Sequence, residues 1–173
     1  MRNLLVVVDM QNDFIDGSLG TKEAVAIVDN VIAEIAKYDT KDIFATRDTH
    51  PENYLEKKKE KNLPVVHCVK GTDGWQINEK VKTALKDAVV IDKPTFGSKI
   101  LAEEITKIAE KEDITVTLVG LCTDICVVSN AILNKAYLPE IPVKVIASCC
   151  AGVTPESHEA ALATMRMCQV QVE

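Results

Sequence analysis

Short apolar runs rich in β-branched residues punctuate the chain at positions 4–8, 42–46, 65–69, 88–91, 115–119, 143–146 and 170–172. Most are too short and too continuously apolar to be amphipathic, and they read as strands buried on both faces. Between them the apolar positions return every three to four residues. Ala24, Ile27, Val28, Val31, Ile32 and Ile35 form one such series, and Ile100, Ile105 and Ile108 another, the spacing of helices that bury one stripe. Pro155 followed by Glu156 and an Ala-rich stretch to Met167 predicts a further helix with Thr154 at its N-cap. Strand and helix alternate. The expected fold is therefore α/β: a three-layer αβα sandwich with a doubly wound, mostly parallel sheet of about six strands, formed by residues 1–173 as one domain. In such a sheet ligands collect beyond the carboxyl ends of the strands.

Composition narrows the function classes. The 173 residues are 47% apolar, enough for one sizeable core. Twenty basic against 26 acidic residues give a net charge of −6, and no long basic run offers a surface for nucleic acid. The N-terminal apolar stretch is interrupted by Asp9 and lacks a cleavage site, and no run approaches the length of a membrane span. The six cysteines come without a secretion signal or a disulfide-scaffold composition, so reduced thiols in a cytoplasmic protein are expected. Neither nucleic acid nor membrane is an expected partner; the oligomeric state stays open, a homo-oligomer included. The charged run at 56–61 reads as a solvated loop or helix face.

Polar residues at the predicted strand ends carry the candidate chemistry. Asp9 follows five apolar residues, where partial desolvation makes a carboxylate a better proton acceptor; ordering of the adjacent turn is the simpler reading. Asp48, His50 and His67 offer one oxygen and two imidazoles, a set suited to an open, catalytic metal site; a loop histidine and a core histidine would explain the same residues. Lys93 places an ammonium at another strand end, where it would stabilise nearby anions, or is a surface lysine. Cys126 falls in the first turn of a helix that follows Gly120, where the unpaired amides and the helix dipole lower a thiol's pKa; an inert core thiol is the simpler reading, and the Cys122–Cys126 spacing also invites a metal or redox one, though no second cysteine pair has ligand spacing.

Taken together, these segments resemble the isochorismatase-like cysteine hydrolase superfamily, and within it the nicotinamidase (pyrazinamidase) branch. The resemblance rests on Val8-Asp9-Met10-Gln11-Asn12-Asp13-Phe14 with Gly17-Ser18-Leu19, on Thr46-Arg47-Asp48-Thr49-His50-Pro51, and on His67 to Gly74. Lys93-Pro94-Thr95-Phe96 and Gly120-Leu121-Cys122-Thr123-Asp124-Ile125-Cys126-Val127 complete it. It implies a catalytic triad of Asp9, Lys93 and Cys126, and one divalent ion, zinc first with manganese or iron as alternatives, on Asp48, His50 and His67. A fourth ligand would come from a carboxylate, with Glu60 preferred over Glu56 or Glu52. The resemblance further implies a cis peptide before Cys122, an oxyanion hole from the Cys122 and Cys126 amides, a pocket walled by Phe14, Leu19 and Trp75, and nicotinamide as substrate. A related hydrolase of another small amide or of an isochorismate-like vinyl ether is the nearest alternative. A non-catalytic relative that binds a small molecule or a partner is the alternative from another class.

Overall fold

The first strand, β1 (Arg2–Val8), is apolar from residue 4 onward because both of its faces are covered. Leu5 and Val7 pack with Val31, Ile35 and Val81 on one side of the sheet. Leu4, Val6 and Val8 pack with Leu101, Ile105 and Leu162 on the other. A computed structural model describes residues 1–56 and 62–173. It places β1 in one six-stranded sheet with β2 (Ile43–Asp48), β3 (Val89–Lys93), β4 (Ile114–Leu121), β5 (Val143–Ala151) and β6 (Gln171–Val172). The order is β3-β2-β1-β4-β5-β6, with every pair parallel. The helices are α1 (Asn12–Ile15), α2 (Lys22–Ala26), α3 (Val28–Ile35), α4 (Glu79–Leu85), α5 (Lys99–Ala109), α6 (Val128–Tyr137) and α7 (Pro155–Met167). None of the described helices is long and apolar enough to cross a membrane.

The strand order reverses between β1 and β4, the place where a crevice opens at the carboxyl edge of such a sheet. These two strands approach closely there. Gly120 lies opposite Val8 with φ +116°, and a Cβ at that position would sit 2.1 Å from the Val8 carbonyl oxygen. Only glycine satisfies both the backbone conformation and the space.

Several elements depart from the expected boundaries. Residues 65–69 do not form a strand: apart from a single bridge between His50 and Val69 they join no ladder, and Cys68 turns the chain with φ 48°. The helical series at 24–35 divides at Ile27, which ends α2 and begins α3. β2 runs on to Asp48, carrying that carboxylate to the strand's very end. The Thr154 cap holds as expected, its hydroxyl accepting from the Ser157 N–H at 3.1 Å in a reciprocal capping box.

Candidate active site

β1 leaves the ladder after Val8, and Asp9 turns away with φ 46°. The Thr46 hydroxyl donates to Asp9 Oδ1 at 2.7 Å. From the end of β3, Lys93 Nζ lies 2.7 Å from Asp9 Oδ2, 3.7 Å from Asp48 Oδ1 and 3.3 Å from Cys126 Sγ. It also donates to the Thr95 carbonyl at 3.0 Å. Asp9 and Lys93 are almost wholly buried, which a charged pair tolerates only when its partners are complete. Burial pushes the Asp9 carboxyl above the usual carboxylate range, and Lys93 offsets only part of the effect. Burial also works against the Lys93 charge, but Asp9, Cys126 and Asp48 reverse it and hold the ammonium protonated.

Cys126 lies in a π-helical turn, Thr123–Val127, that leads into α6; the Val127 N–H bonds the Cys122 carbonyl at 3.0 Å. The peptide between Leu121 and Cys122 is cis, as the resemblance implied. Asn130 fastens this turn to the loop after Lys93, donating to the Cys126 carbonyl at 2.8 Å and the Phe96 carbonyl at 3.1 Å and accepting from the Ser98 N–H at 2.9 Å. The thiol's acidity runs opposite to expectation. Burial and the Asp9 carboxylate, to which the thiol donates, raise its pKa well above the ordinary value despite Lys93. Desolvation outweighs the dipole of the turn, so the resting group is a neutral thiol bonded to a carboxylate. Cys168, exposed beyond α7, is consequently the thiol an alkylating reagent meets first, ahead of the buried Cys126.

The second cluster faces the first. Asp48 Oδ2 lies 2.8 Å from His50 Nε2 and 3.5 Å from His67 Nε2, and one ligand atom from each residue falls within 4.8 Å of the others, all three side chains being buried. His67 Nδ1 meets the Val65 carbonyl at 2.7 Å. A carbonyl only accepts, so Nδ1 carries a proton, and Nε2, turned toward Asp48, is the nitrogen a cation would take when the ring is neutral. Two imidazole nitrogens converging on one carboxylate oxygen form the donor set of a divalent cation, and these residues fit one. Among the described residues no further carboxylate joins the three; Glu60 lies outside the described residues. Tyr54 sets its ring edge-on to His50 and His67, with centroids 4.9 and 5.1 Å away.

Between the clusters lies a cavity of about 190 Å³, lined by Phe14, Leu19, Asp48, His67, Cys122 and Cys126 among others. Trp75 is not among the lining residues, contrary to expectation. Its indole donates to the Thr49 hydroxyl at 2.9 Å, and the Arg47 guanidinium covers its ring at 3.7 Å, which holds it in the packing behind Asp48.

Residues 3–173 match the isochorismatase domain family. The chain belongs to that family. Within it, this isochorismatase domain is 27% identical to the nicotinamidase/pyrazinamidase of Mycobacterium tuberculosis, over 97% of this chain and 96% of the relative. The pyrazinamidase of Pyrococcus horikoshii, solved in complex with zinc, superposes with a TM-score of 0.81 at 28% identity, covering 100% of this chain and 99% of that one. The pyrazinamidase/nicotinamidase of Streptococcus mutans gives a TM-score of 0.81 at 29% identity and 99% coverage of both chains. Sequence reasoning gave no role to four residues that hold this isochorismatase-domain site together: Thr46 and Gln11, which stand in the quoted segments, and Tyr54 and Asn130. Each is a neutral polar or aromatic side chain whose role depends on contacts distant in sequence. Only their lodging in or beside otherwise apolar or site-bearing segments could have flagged them.

Proposed function

We propose that this chain hydrolyses nicotinamide to nicotinate and ammonia through a thioester on Cys126. The observation that carries the reading is the meeting of Asp9, Lys93 and Cys126 in one buried contact, sharing a cavity with Asp48 and His67. A cavity of about 190 Å³ suits one aromatic ring with a small substituent, since an apolar void of roughly 150 Å³ accepts benzene.

In this reading Asp9, poised as a base by its raised pKa, takes the Cys126 proton as sulfur attacks the carboxamide carbon. The oxygen of the tetrahedral adduct is received by the Cys122 and Cys126 amides. Asp9 returns the proton to the leaving nitrogen as the C–N bond breaks, releasing ammonia. Asp9 then deprotonates water, which attacks the thioester and frees nicotinate and the thiol. Lys93 keeps Asp9 in place and balances its charge throughout. A divalent cation on Asp48, His50 and His67 would supply a Lewis-acid point for the pyridine nitrogen, orienting the ring.

The decisive assay is ammonia release from nicotinamide by protein stripped of metal and then resupplied with zinc. Activity that falls steeply on stripping and returns with zinc supports the reading. Turnover indifferent to metal would favour a metal-independent relative acting on another small amide, and no turnover of any amide would favour a binding protein.

A further inference from the structure

Successive residues of a strand in a parallel sheet turn their peptide groups alternately to the two neighbours. At the end of β2 the Thr49 N–H faces β3, bonding the Lys93 carbonyl at 2.9 Å. The N–H and C=O of Asp48 face the other way, toward β1. That strand no longer accompanies β2: its pairing ends at Val8 opposite Thr46, and Asp9 turns aside. Two buried peptide groups on Asp48 would be left without partners, which is costly for each.

The side chain of Gln11 fills the gap. Its Nε2 donates to the Asp48 carbonyl at 2.8 Å, its Oε1 accepts from the Asp48 N–H at 2.8 Å, and Nε2 also donates to the Trp75 carbonyl at 2.9 Å. Gln11 is fully buried and does not line the cavity. A primary amide offers the same donor and acceptor as a peptide, so this side chain continues the ladder where β1 departs. Its own N–H is bonded to the Asp9 carbonyl at 2.7 Å, which ties the placement of Asp48 to the turn that carries Asp9.

We propose that Gln11 is the positioning residue of the metal site, fixing the Asp48 carboxylate against His50 and His67 through the Asp48 peptide groups. The inference rests on the metal reading of those three residues. Gln11→Met keeps the length of the side chain and removes its donor and acceptor. Zinc affinity, measured on stripped protein by competition with a chromogenic chelator, should fall about 10–100-fold. Iodoacetamide modification of Cys126 in the metal-free variant, followed on its own peptide by mass spectrometry, should remain close to native. Gln11→Glu should weaken zinc at least as much, because a carboxylate would face two carbonyl oxygens. Equal zinc affinity in Gln11→Met and the unaltered protein, even with reduced thermal stability, would mark Gln11 as a structural residue only and overturn the proposal. An unaltered protein that binds no zinc would instead remove the metal reading and this inference together. Should Gln11→Met not fold, the unaltered protein decides: zinc should slow hydrogen exchange of the Gln11 side-chain amide by fixing its partner, and exchange that zinc leaves unchanged would refute the proposal.

Discussion

Asp9, Lys93 and Cys126 each stand at the end of a strand or in the turn that opens a helix, whereas His50 and His67 lie on segments outside any ladder or helix and meet the rest through one isolated bridge. The first group inherits its geometry from the sheet. β1, β3 and β4 deliver their terminal residues to one edge, and burial together with the charges that meet there sets the acidity of these groups. The second group is held by side-chain bonds and ring contacts: two bonds between Gln11 and the Asp48 backbone, Asp13 accepting from the Cys68 N–H at 2.8 Å, and Tyr54 against both imidazoles. Substitutions should therefore separate the two walls, one affecting chemistry and the other affecting cation retention.

The largest effect is expected for Cys126→Ala. Nicotinamide turnover should drop by about 10⁴-fold or more, as for removal of other covalent nucleophiles, while zinc content and thermal midpoint stay native. Substantial residual amidase activity would sink the thioester mechanism. Asp9→Asn should lower turnover by about 10²–10⁴-fold, the range for a lost general base. It should also make Cys126 more reactive toward iodoacetamide at pH 8, because the carboxylate that raises the thiol's pKa is gone. Slower alkylation in that variant would contradict the assigned contact between the two groups.

On the opposite wall, His50→Ala and His67→Ala should each lose zinc and reduce activity by at least about 10–100-fold, the cost of losing only a ligand's hydrogen-bond partner, a state that chelation of the unaltered protein should reproduce. Cys126 should keep its native alkylation rate in all three, though nicotinamide would no longer protect it. Full activity in both variants would remove the cation from the mechanism.

The smallest effect concerns stability in alkali. Burial pushes the Cys150 thiol up to about 12. An acid whose pKa is raised by folding stays protonated in the native state after the unfolded chain has released its proton. Its contribution is thus complete below the ordinary thiol pKa of about 9 and declines between there and about 12, by about 1.4 kcal/mol per pH unit. Cys150→Ala should flatten the alkaline fall in thermal midpoint; an unchanged slope would show that another group governs it.

The layered α/β fold could be read from the sequence because the strands are buried on both faces and so appear as uninterrupted apolar runs. Thr154, capping α7, could be read for a similarly local reason. Residues 65–69 misled because Val65, Val66 and Val69 have strand composition, yet nothing in that composition reveals that Asp13 and the bridge to His50 hold the segment off the sheet. The acidity of Cys126 was misjudged from a local feature, the start of a helix, when the deciding quantity was its burial, to which the Asp9 carboxylate adds. Trp75 was misplaced because an aromatic near a site-bearing loop packs equally well in front of the site or behind it, and Arg47 stacked on its ring places it behind.

Helix α7 begins beside Gly152 and Val153 of the cavity wall and runs 13 residues away from it, a distance of roughly 20 Å at 1.5 Å per residue. Cys168 sits at the far end as an exposed thiol, whereas Cys68, Cys122, Cys126, Cys149 and Cys150 are held protonated by burial. The unmodified protein therefore carries a ready-made handle. Maleimide coupling at neutral pH through Cys168 should attach it to a solid support or a fluorophore in a single orientation, with the cavity mouth turned toward the bulk solution.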